Sequence, residues 1–396
     1  MRINDLAGQL VHQGHQVTVI TGEPNYPEGR LMTGYKKDPS KFNNYNGVNI
    51  LRVPIITRGH NKFKLLINYL SFFLSASIFG FHKLRHKKFD IIFANQLSPI
   101  ISVIPGIFLK RSRKIPMVLW VLDLWPETLV ALNYVRNKFL FRALDGLSGW
   151  VYKNSDVVMI QSEGFRESIK RSHKDHKSII FRPNWAESIF KRKYNKPEAI
   201  LDTRSKDKLH ILFAGNIGSA QDFDSIIKAA ILLKENKKVF WHIFGDGSEI
   251  ERIRAIAKKE SLSDNFIFYG SYPLESMPFL YQSADVLLIT LSKGDAFSKT
   301  IPGKLQSYMS SGKPILSMID GETNEIIKKA KCGLVAKAGD YECLAKNINH
   351  IYSLTNEERA HIGERAEEYY NNNFERSKAM ADIEKTLINC IKDHSA

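Results

Sequence analysis

Two hydrophobic periods alternate along this chain. Short runs rich in β-branched and aromatic residues are followed by longer stretches whose apolar positions recur every three or four residues. The short runs fall at 16–21, 48–53, 90–94, 117–121, 156–161 and 178–182. A second series falls at 209–215, 239–245, 265–269, 286–290, 314–318 and 333–336. The pattern predicts strands at these places. Helices are predicted between the later ones, at 223–235, 248–260, 275–282, 304–310 and 322–330, and from Asp340 onward. Strand and helix in strict alternation indicate an α/β fold with parallel sheets.

The polar, charged stretch 191–208 suits a linker. It divides the chain into a domain at 1–190 and a second at 209–375, Rossmann-like units facing one another across a cleft. Residues 376–396 read as a helix returning to the first domain. A domain of this kind normally opens with a strand and a glycine-rich turn. Here the sequence opens in helix-like residues, Arg2 to Gln13, with no secretory pattern. The first domain is therefore expected to lack its first strand, through a start further upstream or through loss. Losing a central strand leaves the backbone groups of its neighbours unpaired.

Residues 65–81 carry no charge and lie between Lys62/Lys64 and the cluster Lys83, Arg85, Lys87, Lys88. The run falls short of the ~20 residues of a membrane span and contains Asn68, Ser71, Ser75 and Ser77. It is expected to form a buried or interfacial helix, with the basic flanks of a peripheral membrane anchor.

A content of 43% hydrophobic and 25% charged residues places the chain among globular proteins. The net charge of +16 is uneven. Residues 1–190 hold 27 Lys+Arg against 13 Asp+Glu, whereas residues 191–396 hold 30 against 28. An anionic partner for the first half follows, and no nucleic-acid motif accompanies the charge. An anionic membrane surface is the expected partner, with no nucleic acid. Cys332, Cys343 and Cys390 have neither disulfide nor zinc spacing, and a reducing cytoplasm is the simplest location. No zinc-protease, Walker or nucleophile-elbow pattern occurs.

The candidate chemistry gathers at strand ends. Gly215, Asn216, Gly218 and Gln221 follow a strand and precede a helix, where glycines admit a phosphate to helix N–H groups. Lys304 opens a helix after Pro302-Gly303. A cation there opposes the helix dipole, and a diphosphate gives it a reason. Gly245-Asp246-Gly247 closes the next strand, either as a plain turn or as a close approach to a base or ribose. Asp222 and Asp224 sit at a helix start and are expected to cap it, so no metal is expected. Asp123, between Trp120 and Trp125 and followed by Glu127, stands at the end of an apolar strand, either as a cleft residue or as a buried cap for the helix after Pro126, and the indole faces suit a sugar ring or core packing. Asn25 and Tyr26, in Asn-Tyr-Pro-Glu-Gly29, lie on a loop of the kind that carries function.

These segments together resemble the family 4 glycosyltransferases, retaining enzymes of GT-B architecture. The likeness is strongest to the branch that adds N-acetyl-L-fucosamine and related amino sugars in bacterial O-antigen or capsule synthesis. It runs through 3–7, 14–15, 17–22, 25–29, 123–127, 182–185, 213–221 and 304–314. The resemblance implies transfer from a UDP-sugar to an undecaprenyl-linked glycan, with retention and without a metal or other cofactor. The enzyme would sit peripherally on the inner face of the plasma membrane. Gly215, Asn216, Gly218 and Lys304 would lie near the donor diphosphate. Many relatives carry two glutamates in the donor domain. Here Asp295 stands for the first and Ser307 replaces the second. Leu122 stands where relatives have a histidine before the aspartate. Two other readings accompany this one: a non-catalytic or truncated sugar-nucleotide-binding subunit, and an isomerase like UDP-N-acetylglucosamine 2-epimerase.

Overall fold

The computed structural model describes residues 2–25, 29–59, 62–172, 178–191 and 207–395. Three sheets form the frame among these residues. The first contains β1 (Thr18–Gly22), β2 (Asn44–Tyr45) and β3 (Val48–Val53), in the order β1-β3-β2. The second contains β4 (Ile92–Gln96), β5 (Met117–Val121), β6 (Val157–Ile160) and β7 (Ile179–Phe181), in sequence order and all parallel. The third contains β8 (Leu209–Ala214), β9 (Val239–Phe244), β10 (Phe266–Gly270), β11 (Val286–Thr290), β12 (Ile315–Met318) and β13 (Gly333–Ala336). Its order is β10-β9-β8-β11-β12-β13, again all parallel.

The third sheet behaves as its sequence demands. β8 and β11 are buried at every residue, as expected for strands covered on both faces by helices. Strand order reverses between β8 and β11. Loops leaving the carboxyl ends of strands diverge at such a point and open a crevice there. The candidate donor residues leave β8 and approach β12.

The first half is different. Among the described residues, β1 pairs only with β3, and β4 pairs only with β5. Among these residues, β1 and β4 thus each end a separate sheet and do not pair with one another. The π-helical turn Ala76–Gly80 packs near β1, where Gly80 faces Ile20. Leu6, from the opening helix Arg2–His12, enters a core with Val118, Trp120 and Trp185.

The last helix, Arg376–Ser395, lies on this same core through Met380, Ile383 and Leu387. Arg376 pairs with Asp5 at 2.5 Å, and Trp185 Nε1 donates to the same carboxylate. The chain crosses to the second half at Ala186 and Phe190, where Phe190 stacks on Tyr281 with centroids 5.4 Å apart. Tyr26 and nearly all of 191–208 lie outside the described residues.

Candidate active site

The glycine turn after β8 is held from three directions. Gly215 adopts φ +143°, Asp222 adopts φ +49°, and Asp222 Oδ1 accepts from Ser225 N at the start of helix Phe223–Leu232. Gln221 folds its side chain back, and Oε1 accepts from Gly218 N at 3.1 Å and Asn216 Nδ2 at 3.3 Å. Beyond β11, Thr290 Oγ1 donates to Gln221 O at 2.5 Å and Ser292 Oγ donates to Ser219 O at 2.8 Å. Gln221 and Asn216 therefore brace the turn.

Gly245 and Gly247 have a specific packing reason. A Cβ on Gly245 would lie 1.8 Å from Gly215 O, and one on Gly247 would lie 2.3 Å from Ile217 O. Ile217 N donates to Asp246 O at 2.9 Å. The two turns are stacked backbone on backbone, which only glycine permits. Asp246 itself is exposed and caps Gly247 N at 2.7 Å.

Lys304 opens helix Lys304–Ser310 and reaches back under this turn. Its Nζ lies 3.6 Å from the centroid of the Phe213 ring, and a Cβ on Gly215 would lie 3.3 Å from the same nitrogen. The ammonium has no hydrogen-bond partner among the described residues. Burial alone pulls its pKa from 10.5 down to about 7. A buried amine without a partner is costly unless a ligand completes it. Ser307, one turn on, is buried in the same helix.

Asp123 follows β5 across the cleft. Its Oδ1 accepts from Thr128 Oγ1 at 2.6 Å, and Ser98 and Leu124 N also bond the carboxylate. Burial raises its pKa above the usual carboxylate range, against the pull of these hydrogen bonds. Trp125 is not an open sugar platform. It is buried, with Nε1 donating to Ser98 Oγ, and Trp120 is stacked inside the core on Trp185 at 5.7 Å. Both indoles are consumed by packing: Trp120 points from β5 into the layer beside it, and Trp125, in the loop that follows, joins the core on the other side. Glu127 is also buried. Its Oε1 accepts from Arg171 Nη2 at 2.6 Å, Oε2 has no partner among the described residues, and burial raises its pKa. Asn25 braces its loop, donating to Glu23 O and accepting from Arg58 N.

Asp222 and Asp224 point to different partners: the first caps its helix, and the second pairs with Arg252 at 2.7 Å. No group of three or more His, Cys, Asp or Glu residues able to hold a metal ion occurs among the described residues.

The two halves meet around this cleft mostly through residues that the sequence patterns did not single out. Glu322, at the first turn of helix Glu322–Ala330, accepts from Ser162 Oγ at 2.8 Å, Glu163 N at 3.1 Å and Gly164 N at 2.5 Å. Lys299 pairs with Asp295 at 2.6 Å and donates to Ser168 Oγ of the first half at 3.2 Å. Arg2 donates to Gly303 O at 2.8 Å, beside Lys304, and to Trp185 O at 2.7 Å. Ala131 and Leu132 touch Leu291, Phe297 and Ile319 in a small apolar contact. Apart from Lys299 and Asp295, the partners lie more than a hundred residues apart, so no local pattern could announce them.

Comparison with known proteins accounts for both halves. Residues 1–185 match the profile of the glycosyl transferase 4-like domain, and residues 196–369 match that of glycosyl transferases group 1. The probable glycosyltransferase WbjE of Pseudomonas aeruginosa is 27% identical over 303 residues, 74% of each chain. The putative colanic acid biosynthesis glycosyl transferase WcaI of Escherichia coli K12 is 25% identical over 314 residues, 76% of this chain and 75% of that one. Among solved structures, sucrose-phosphate synthase from Thermosynechococcus elongatus superposes with TM-score 0.76 at 14% identity, covering 99% of this chain and 93% of that one. HepE of Anabaena, solved in complex with UDP and glucose, gives 0.69 at 14% identity, covering 97% and 94%. These two share the fold.

Proposed function

We propose that the chain, whose halves match the glycosyl transferase 4-like and glycosyl transferases group 1 models, is a family 4 glycosyltransferase that moves a sugar from a UDP-sugar to a polyprenyl-linked glycan in bacterial surface polysaccharide synthesis. The observation that carries the reading is Lys304, a buried amine with no partner among the described residues, set under the Gly215 turn at the switch point of the third sheet. A diphosphate there meets the ammonium and the backbone N–H groups of the turn. Charge developing on the departing UDP is then stabilised by groups already in place.

Asp123, held by Thr128 and Ser98, is the residue we assign to the acceptor. It orients the acceptor hydroxyl and receives its proton as the new bond forms. The same arrangement supports transfer with retention and without a metal, because Lys304 supplies positive charge at the leaving group. An N-acetylated 6-deoxy amino sugar is the donor class that the sequence likeness favours. The enzyme works on the inner face of the plasma membrane, where polyprenyl-linked glycans are assembled.

The test is transfer to membranes containing lipid-linked acceptor, with a panel of UDP-sugars and chelator present. Sugar in the lipid fraction supports the proposal and identifies the donor. Ser307, where many relatives carry the second glutamate of the donor domain, favours a second reading, a subunit that binds sugar nucleotide without turning it over. UDP binding with no transfer to any acceptor would establish that reading. Epimerised sugar nucleotide in the absence of acceptor would instead indicate an isomerase.

A further inference from the structure

Helix Lys62–Ser75, the π-helical turn Ala76–Gly80 and helix Phe81–Leu84 form one continuous rod on the first half. Its polarity is inverted relative to an ordinary surface helix. The polar residues are turned inward or satisfied locally. Asn68 Nδ2 donates to Ile56 O at 2.5 Å, Ile56 N donates to Ser71 Oγ at 3.0 Å, and Ser77 Oγ donates to Phe73 O at 2.7 Å. Ser75, Ala76, Gly80 and Leu84 are buried.

Every exposed residue from Leu66 to Phe81 is hydrophobic: Leu66, Leu70, Leu74, Ile78, Phe79 and Phe81. The main row advances by three or four residues, so it forms a single stripe. Leu74 is 54% exposed and Ile78 63%. The stripe broadens at Phe108, which is exposed and packs on Phe73 with centroids 6.3 Å apart.

Charge selects the occupant. No carboxylate occurs between Asp38 and Asp90, while that interval contains Lys41, Arg52, Arg58, Lys62, Lys64, Lys83, Arg85, Lys87 and Lys88. The last four form an exposed or nearly exposed cluster beyond the end of the stripe. A second copy of the chain would bring two uncompensated basic clusters together. A bilayer containing anionic lipid satisfies both features at once.

We infer that this face docks on an anionic membrane, with the rod lying in the plane of the interface and its stripe among the acyl-chain ends. The rod is long and apolar enough to cross a membrane, but crossing would break its bonds to Ile56 and expose its buried inner face. The inference deepens the proposed function by naming the surface that brings the cleft to a lipid-linked acceptor. It can fail independently, because docking needs neither donor nor acceptor.

The experiment is flotation of the whole chain with phosphatidylcholine vesicles and with vesicles containing one-third phosphatidylglycerol, without substrates. Flotation on the anionic vesicles, weakened by salt and released by alkaline carbonate, is expected. Leu70→Glu with Leu74→Glu lowers the partition coefficient more than tenfold. Lys83→Ala, Lys87→Ala and Lys88→Ala together lower it on the order of 100-fold at low salt. Thermal melting of each variant, unchanged because these side chains are exposed, excludes unfolding as the cause. Failure of the parent chain to float, or equal flotation by the leucine variants, overturns the inference. So does resistance to carbonate, which marks a spanning helix, or a dimer abolished by Leu70→Glu in the absence of vesicles. Transfer to a short-chain, water-soluble acceptor by the leucine variants should match that of the parent chain and so separates docking from catalysis.

Discussion

Lys304 Nζ sits 3.6 Å from the centroid of Phe213, with its stem against Gly215. This contact joins the start of helix Lys304–Ser310 to the end of β8, two segments about ninety residues apart. The ring offers a face to the cation but no lone pair, so the amine keeps its hydrogen-bonding capacity free. Replacing it with methionine removes the burial penalty and keeps the volume. Lys304→Met should stabilise the free protein by about 1–4 kcal/mol in urea unfolding and abolish UDP binding in calorimetry. A destabilised variant that still binds UDP would contradict the role assigned to Lys304.

The same residue sets a pH dependence. Its folded pKa, about 7, lies below the unfolded value of 10.5. Between these values the unfolded chain holds the proton more tightly, so stability should rise with pH across that window. A bound diphosphate favours the charged amine. UDP binding at pH 8 should therefore take up a proton, and affinity should fall as pH climbs toward 9. Calorimetry in buffers of different ionisation enthalpy measures the uptake, which Lys304→Met should eliminate.

Asp123 accepts from Thr128 and Ser98 and is raised in pKa by burial. Asp123→Asn keeps the shape and removes the base. We expect kcat to fall 10²-fold or more, with UDP affinity unchanged. Because the folded pKa is raised, turnover should be lost on acidification at a higher pH than for a free aspartate. A pH–rate profile reads that midpoint.

Glu322 gathers Ser162 Oγ and two backbone N–H groups from the facing half. Glu322→Ala leaves those donors without their carboxylate and should cost about 1–3 kcal/mol. The radius of gyration from small-angle scattering should increase as the halves part. An unchanged radius would show that other contacts set the closure.

Gly245 and Gly270 make a matched pair. Both have positive φ, but a Cβ on Gly245 meets Gly215 O at 1.8 Å, whereas one on Gly270 meets nothing within 4 Å. Gly270→Ala should cost about 1 kcal/mol from backbone strain alone. Gly245→Ala should cost well over 3 kcal/mol or prevent folding, since backbone must move. Thermal melts of the two decide it.

Strand and helix positions were legible because each depends on local period. The runs at 117–121, 286–290 and 333–336 reappear unchanged as β5, β11 and β13, and the helices at 304–310 and 322–330 keep their limits. Others shift by one to three residues, as at 16–21 and 90–94, where the paired strands start two residues later and run past the predicted ends to Gly22 and Gln96. The α/β class and the glycine turn were likewise local facts. Tertiary structure decided the rest. Trp120 and Trp125 could serve a sugar or a core, and only the layers around β5 consign them to the core. Glycine at 245 could serve a ligand or a neighbouring turn, and only the register of β8 beside β9 shows Gly215 pressed against it. The stripe at Leu66–Phe81 could face inward or outward, and only the bonds of Asn68 and Ser71 to Ile56 fix its direction. Lys304, Glu322 and Arg2 each acquire meaning from a partner far along the chain. Sequence specifies what a residue can do within a turn or two; which of those capacities is used depends on what folding brings against it.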